Sequence, residues 1–170
     1  MKEYGLDLHG EMLLEEYCDK QPLFERLQSV VMDQLGALVR QSGIEVNSME
    51  SRIKAEASLA GKLRRKGHKY SSLADITDIF GARIITFYNE DVDRIASMAE
   101  VLFEIDWANS VDKRRMHDFD SFGYNSLHYI CRLPESLYSD PEMPELNQIR
   151  FELQMRTALQ HVWTAIQHDI

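Results

Sequence analysis

The spacing of apolar residues separates helical segments from extended ones. Between Pro22 and Gln41 apolar residues recur every three or four positions, as on one face of an amphipathic helix, and Gly43 suits its end. The same spacing predicts helices over residues 55–66, 91–104 and 157–170. The apolar positions of the first helix are Leu23, Leu27, Val30, Leu35 and Leu38.

Strict alternation over residues 150–156, RFELQMR, predicts a strand with two unlike faces. One face would pack on a core through Phe151, Leu153 and Met155. The other face would carry Arg150, Glu152, Gln154 and Arg156. The stretch DIFGARIITFY predicts a buried strand from its β-branched and aromatic content, and EVNSMESRIK looks extended, as do residues around 107–114 and 125–133.

This order of elements predicts a mixed fold. Helices come first, then a strand–helix–strand unit, then hairpin-like strands and a closing helix. We therefore expect an α+β or mixed α/β sheet covered by helices. Residues 1–45 are interpreted as two helices packed on the core, and residues 46–170 as the domain that carries the sheet.

Composition limits the class of protein. The 170 residues are 44% hydrophobic, which suits one domain or one domain with a short appendage. No apolar run approaches the roughly 20 residues that span a bilayer, and the first residues lack the order of a signal peptide. Cys18 and Cys131 have no metal or redox spacing, so we expect reduced, buried thiols in a cytoplasmic protein. A net charge of −9 argues against bulk nucleic-acid binding.

Positive charge is nevertheless concentrated in residues 52–66, RIKAEASLAGKLRRK. A cationic patch in an acidic protein suggests a local anionic ligand. Arg52, Lys54, Ser58 and Lys62 follow a strand-to-helix passage, with Ser58 and Lys62 one turn apart. The alternative is a solvated helix face, which we favour for Arg64, Arg65 and Lys66.

Asp78 is unusual because it is a carboxylate at the start of an otherwise apolar strand. A buried carboxylate needs a cation, a metal ion or a helix N-terminus nearby. The simpler alternatives are a pair with Arg83 or a turn capped with Thr77.

The stretch FGYNSLHYICRL would, as a strand, place Tyr124, Ser126 and His128 on one face. Its core face would carry Leu127, Tyr129, Cys131 and Leu133. A polar face of this kind is more often a solvated edge than a platform for stacking a base.

Together these clusters suggest one chemistry. Asp78 and Glu152 on neighbouring strands could hold Mg²⁺, which prefers oxygen ligands and keeps phosphate oxygens in its shell. The cations would then neutralise a triphosphate, and Tyr124 would stack a base, as phosphoryl or pyrophosphoryl transfer requires. His161 and His168 lie about 10 Å apart along one helix and cannot share a metal. No P-loop, G-x-G-x-x-G or G-x-S-x-G occurs.

Four stretches in order resemble the motifs of RelA/SpoT-type alarmone synthetases: SRIKAEASLAGKL, DIFGARII, FGYNSLHY and FELQMRTALQHVWTAIQHD. The resemblance covers roughly residues 47–169. It implies a nucleotidyltransferase-like mixed sheet and the transfer of the β,γ-pyrophosphate of ATP to the 3′-hydroxyl of GDP or GTP. It further implies a small synthetase-only form, truncated at its C-terminus relative to the family, and a homo-oligomer that needs the further helices.

The resemblance also implies roles for individual residues. Asp78 and Glu152 correspond to the magnesium-binding and catalytic carboxylates, and Glu152 to the general base. ATP would be bound by Arg52, Lys54, Ser58 and Lys62. The acceptor guanine would stack on Tyr124, with further acceptor contacts from Lys113, Asn125, His128, Gln154 and His161.

Two stretches depart from the family pattern. MHDFDSFGY carries Asp118 and Asp120 where relatives have a proline and a lysine, which leaves the choice between GDP and GTP open. Lys113, Arg114 and Arg115 could supply the positive charge that binding of the acceptor phosphates needs. Near the end, Gln167 precedes His168 where relatives have glutamate.

Three other functions stay open beside this one. They are a toxic relative that modifies the 3′ end of tRNA, an enzyme that makes adenosine alarmones, and a non-catalytic sensor of guanine nucleotides. The acidic net charge argues against tRNA.

Overall fold

The computed structural model describes residues 3–115 and 126–169, which form five α-helices and a six-stranded sheet. The helices are α1 (Leu8–Asp19), α2 (Gln21–Ser42), α3 (Glu56–Lys66), α4 (Asn89–Leu102) and α5 (Ala158–Asp169). The strands are β1 (Val46–Ile53), β2 (Phe80–Thr86), β3 (Glu104–Ile105), β4 (Val111–Asp112), β5 (Leu127–Arg132) and β6 (Phe151–Thr157).

The sheet is mixed, which confirms the predicted fold class. Its strand order is β1-β2-β6-β5-β3, and β4 also pairs with β5. The central pair β2 and β6 is parallel, whereas the other pairs are antiparallel. Because β2 and β6 are parallel, the chain between them must cross over, and α4 lies in that connection.

One face of the sheet packs on the main core. Alternation along β6 buries Phe151, Leu153 and Met155, as the sequence predicted. These side chains share a cluster with apolar residues of α2 and α4, among them Leu27 and Ile95. The helix α2 ends where expected, since Gly43 adopts φ 70°, a left-handed conformation that glycine adopts without steric cost.

A second apolar cluster fixes α3 against α1 and the segment that leads into β2. It includes Leu13 and Tyr17 of α1, Leu59 and Leu63 of α3, and Ile79. The Tyr17 hydroxyl donates to the carbonyl of Lys54, and the amide of Lys54 donates to the carbonyl of Ile79 at 2.7 Å. These bonds hold the end of β1 beside the start of β2.

The extended conformation expected around residues 107–114 is wrong for most of that stretch. Short 3-10 turns at Trp107–Asn109 and Lys113–Arg115 flank the two-residue strand β4. The Asn109 amide donates to the Asp106 carboxylate at 2.8 Å, and the Ser110 hydroxyl donates to the Asp106 carbonyl at 2.7 Å. Local bonds of this kind compete with a strand ladder.

The two cysteines are free, as expected, but only Cys131 is buried, whereas Cys18 is half-buried. The Cys18 thiol donates to the Glu56 carboxylate at 3.1 Å. None of the described helices combines the length and apolar character that crossing a bilayer requires.

Replacing Phe151 by alanine should lower the free energy of unfolding by about 3–5 kcal/mol. The ring is fully buried, with its centroid 5.6 Å from that of Phe80 and 5.3 Å from that of Phe103. Urea unfolding would measure the loss. The control Val101→Ala, at a side chain that is 89% exposed, should change stability by less than about 0.5 kcal/mol. Equal effects of the two variants would contradict the assignment of this core.

Candidate active site

The polar face of the sheet forms the floor of a cavity of about 290 Å³. In register, Arg52 of β1 lies opposite Gly81 of β2, and Gly81 lies opposite Glu152 of β6. Two residues further along the same face, Arg83 lies opposite Gln154. Because Gly81 has no side chain, the space between Arg52 and Glu152 stays open to a ligand.

Asp78 stands at the edge of this floor, two residues before β2, and is held by two lysines. Its carboxylate lies 2.8 Å from Lys62 Nζ and 3.1 Å from Lys54 Nζ. Burial acts to raise the pKa of Asp78, but hydrogen bonds and charge from Lys62 and Lys54 outweigh it and hold the pKa below its ordinary value. The cation that burial of Asp78 requires is thus supplied by lysines, and the alternative pair with Arg83 is wrong, because Arg83 pairs with Glu50 at 3.4 Å.

A second cleft of about 480 Å³ opens beside α3 and shares Asp78 with the first cavity. Lys54, Ser58 and Lys62 line this cleft, whereas Arg52 lines the cavity over the sheet. The four residues predicted to bind ATP therefore line two adjoining cavities that share Asp78. The cleft is also lined by residues that the sequence analysis assigned to solvent, namely Arg64, Arg65 and Lys66.

The described contacts of Glu152 are with neutral groups. Its Oε1 accepts a hydrogen bond from the side-chain amide of Gln154 and lies 3.5 Å from Nδ1 of His128. Burial, with the charges of Lys113, Arg156 and Arg83, lowers the pKa of His128 to about 4, so this ring is neutral at neutral pH. Glu152 thus differs from Asp78, which is held by two cations.

The predicted acceptor residues are only partly brought together. Gln154 and His128 are cross-strand neighbours, and Ser126 contacts the His128 ring. Lys113 lies beside β5, because its backbone N–H donates to the carbonyl of Ser126 at 2.9 Å. Tyr124 and Asn125 lie outside the described residues.

His161 lies on α5, the helix that directly follows β6. Burial, followed by the charges of Arg156 and Arg83, lowers the pKa of His161. Its Nδ1 is buried and has no hydrogen-bond partner in the described part of the chain.

The prediction that Arg114 supplies positive charge to the acceptor phosphates is wrong. Its guanidinium lies 2.7 Å from Asp93 and 2.9 Å from Asp112, and it lines a separate cavity beside α4. The side chain of Arg115 lies outside the described ones.

Sequence reasoning placed Arg156 on this face but gave it no role in the site, and it missed Arg83 as a member of the face. Arg156 is 6% exposed, and burial together with the charge of Arg83 lowers its pKa to about 10. Gln154 Oε1 accepts from Arg83 Nε and from Arg156 Nη2, each at 3.4 Å. The alternation that singled out Glu152 also applies to Arg83 and Arg156, so this signal was present in the sequence.

This arrangement suits the binding of phosphate groups and the removal of a proton. Cations surround two carboxylates, one ion-paired and one with neutral partners. Across residues 3–115 and 126–169, no three histidine, cysteine, aspartate or glutamate side chains gather as a metal site. Any ion bound here would therefore need ligands beyond Asp78 and Glu152.

The sequence profile described as "Region found in RelA / SpoT proteins" matches residues 51–170. Two curated proteins of Bacillus subtilis (strain 168) are similar: GTP pyrophosphokinase YjbM, 28% identical over 126 residues, and GTP pyrophosphokinase YwaC, 27% identical over 128 residues. Each match covers 74% of this chain but 56% and 58% of the relatives. The chain thus spans little more than half the length of the curated relatives it matches.

Solved structures share the fold. Small alarmone synthetase 2 of Bacillus subtilis has a TM-score of 0.73 at 22% identity, covering 91% of this chain and 79% of that one. Small alarmone synthetase 1 of the same organism, bound to its product pppGpp, has a TM-score of 0.70 at 20% identity, covering 91% and 80%. The resemblance seen in the sequence is thereby confirmed at the level of family and fold.

The neutral state of His128 should make the protein less stable as pH falls from about 6.5 to 4. In this window the unfolded chain, with a histidine pKa of 6.5, takes up a proton that the folded chain with a pKa of about 4 does not. The loss should reach at most about 3 kcal/mol. Urea unfolding at several pH values would measure it.

The matched variants for this pH test are His128→Gln and His68→Gln, the second at an exposed histidine. The first should reduce the slope above pH 4, to which His161 still contributes because its pKa is also lowered, and the second should leave the slope unchanged. Below pH 4, protonation of Asp78 should add a further loss, because its folded pKa is lowered. An unchanged slope in His128→Gln would contradict the neutral buried ring.

Proposed function

We propose that this chain, which belongs to the RelA/SpoT family, transfers the β,γ-pyrophosphate of ATP to the 3′-hydroxyl of GDP or GTP. The products would be AMP and guanosine tetra- or pentaphosphate. Two relatives are named GTP pyrophosphokinases, and small alarmone synthetase 1 has been solved with its product pppGpp and with AMPCPP. The observation that carries the proposal is that Asp78 and Glu152 line one cavity, which adjoins a cationic cleft.

The phosphates of ATP would bind in the cationic cleft beside α3. Lys54 and Lys62 are fixed by Asp78, so their ammonium groups are already oriented before a triphosphate arrives. Ser58 lies one turn before Lys62 on α3 and could donate its hydroxyl to a phosphate oxygen. Arg52 is exposed beside Gly81 and would contact the nucleoside side of the donor.

Glu152 would act as the general base for the acceptor. It would take the proton of the 3′-hydroxyl while that oxygen attacks the β-phosphorus of ATP, and the bond from this phosphorus to the α–β bridging oxygen would break. AMP would leave with that oxygen. Because the partners of Glu152 are an amide and a neutral ring, its carboxylate is not neutralised by an ion pair with them.

The acceptor would lie over β5 and β6. Gln154 and His128 present polar groups there, and Lys113 and His161 would add further contacts. Tyr124 would stack on guanine, and Asn125 would add a polar contact. In-line transfer needs no covalent enzyme intermediate.

Mg²⁺ fits the donor set of this site. Asp78 and Glu152 offer carboxylate oxygens to one cavity, and Mg²⁺ takes oxygen ligands and retains phosphate oxygens or water for the remaining positions. When bound, the ion would offset charge on the transferred phosphoryl group. Lys54 and Lys62 would keep their places beside Asp78 and contact phosphate oxygens from there.

The Glu152→Gln variant should lose transfer by a factor of about 10²–10⁴ while it largely retains ATP binding. ATP labelled on the γ-phosphate would be incubated with Mg²⁺ and, in turn, GDP, GTP, ADP and tRNA, and the products separated. Label on GDP or GTP, with release of AMP, is the expected result.

Glu104→Gln provides the control, because Glu104 is exposed at the far edge of the sheet. This variant should transfer at the wild-type rate. Label on tRNA or ADP would keep the chemistry and replace the acceptor. Wild-type turnover in Glu152→Gln would contradict the role of the base, and no transfer to any acceptor by the wild type would favour a nucleotide sensor.

Removal of divalent ions should abolish transfer, and added Mg²⁺ should restore it. Asp78→Asn should need a higher Mg²⁺ concentration for half-maximal rate, because an amide oxygen carries no net charge for the ion. A Mg²⁺ titration of both proteins would measure this shift. Transfer that persists in excess chelator would contradict the proposed magnesium site.

A further inference from the structure

Arg150 joins three parts of the chain at the end of the sheet where β2 and β6 begin. Its Nη1 lies 2.9 Å from the Asp106 carboxylate, and its Nη2 donates to the carbonyl of Ala74 at 3.1 Å. Asp106 follows β3, Ala74 lies in a 3-10 turn at Leu73–Asp75, and Arg150 directly precedes β6. One guanidinium therefore links the start of β6 to two segments that are distant from it in the sequence.

The two carboxylates of the candidate site lie on segments that meet near this guanidinium. Among the described residues, the backbone ladder between β2 and β6 begins where Gly81 lies opposite Glu152, three residues after Asp78. Two lysines hold the Asp78 side chain towards α3 and β1. The hydrogen bond from Arg150 ties the turn before Asp78 to the start of the strand that carries Glu152.

Both acceptors of Arg150 are themselves held in place. The backbone N–H of Asp106 donates to the carbonyl of Ile130 on β5 at 2.7 Å, which anchors this acid to the sheet. The turn that contains Ala74 is closed by Asp75, whose carboxylate accepts two backbone N–H groups just before the turn, at 2.9 and 3.1 Å. Arg150 therefore connects two ordered groups rather than lying between two loose ones.

A stabilising surface ion pair would be the ordinary explanation for these contacts. The side chains of Arg150 and Asp106 are each 26% exposed, and ion pairs that water reaches contribute little to the free energy of unfolding. Charge pairing with Asp106 also leaves the second contact unexplained, because the other arm of the planar fork bonds the neutral Ala74 carbonyl. The two arms together suit a residue that sets a distance.

We propose that Arg150 is a positioning residue that fixes the segment carrying Asp78 against the strand carrying Glu152. The inference deepens the proposed function and rests on it, since Asp78 there belongs to the donor side of the site and Glu152 is the base for the acceptor. A misplacement on the order of 1 Å between reacting groups can lower a rate by a factor of about 10². Arg150 acts only through the backbone and side chain that it holds.

The Arg150→Gln variant should lower kcat by a factor of about 10–100, while the KM values for ATP and GDP change by less than about twofold. Each nucleotide would still find its own side of the site, but the acceptor oxygen and the donor phosphorus would no longer be aligned. Transfer of label at varied ATP and GDP would measure both constants. Calorimetric titration with ATP should give the same number of sites per chain as the wild type, which excludes a loss of folded protein.

Combination with Glu152→Gln separates positioning from general damage to the structure. If Arg150 acts by placing the base, its replacement should lower transfer by less than about a further twofold once the base is gone. A folding defect would instead multiply the two losses. Full additivity in the double variant would therefore overturn the proposal.

The matched control is Arg132→Gln, which removes an arginine whose ion pair with Glu104, at 3.6 Å, lies at the far edge of the sheet. This variant should retain the wild-type kcat. Arg150→Lys should recover only part of the loss, because one ammonium replaces a fork that reaches two acceptors. Equal losses of kcat in Arg132→Gln and Arg150→Gln would overturn the assignment to this one arginine.

Hydrogen exchange tests the inference without any turnover. The backbone N–H groups of Asp75 and Ile76 donate to carbonyls three residues earlier in the turn, at 3.1 and 3.0 Å. They should exchange faster in Arg150→Gln than in the wild type or in Arg132→Gln, because the turn opens more often when it is released from β6. A wild-type chain that transfers no label would refute the proposed function, and faster exchange would still support the link that Arg150 makes. Unchanged exchange in Arg150→Gln would overturn the inference whatever the rate of transfer.

Discussion

The ion-paired carboxylate of Asp78 is the interaction on which the site depends. It joins three separate parts of the chain: Lys54 at the exit of β1, Lys62 on α3 and the segment that leads into β2. All three groups are partly buried, so removing any one of them would leave charge without its partner in a region of reduced solvation. The same ion pairs place the cationic cleft beside the polar floor of the sheet.

Much of the fold could be predicted because burial imposes a period on the sequence. The alternation in Phe151, Leu153 and Met155 identified β6, and the three- to four-residue spacing of Leu27 and its neighbours identified α2. The stretch around Asp106 could not be predicted in this way. Its conformation is set by hydrogen bonds of Asn109 and Ser110 to Asp106 rather than by a buried face.

The sequence indicated which residue types form the candidate site, but it indicated less well which of them form ion pairs with each other. The cost of a buried carboxylate indicated that Asp78 needs a cation, and Arg83 was one alternative, whereas Lys62 and Lys54 are the cations that engage it. The correct partner follows from how α3 docks on α1, which no local pattern encodes. For the same reason Arg114 looked available, although acids of α4 and β4 engage it in the folded chain.

The parallel pairing of β2 with β6 has a consequence for synthesis of the protein in the cell. Gly81 and Glu152 meet only across this pairing, and everything from α4 to β5 lies between them in the chain. A nascent polypeptide can pack α1 against α3 long before Glu152 has left the ribosome. The cationic cleft beside α3 therefore precedes Glu152 in time, and the polar floor of the sheet stays incomplete until β6 is released.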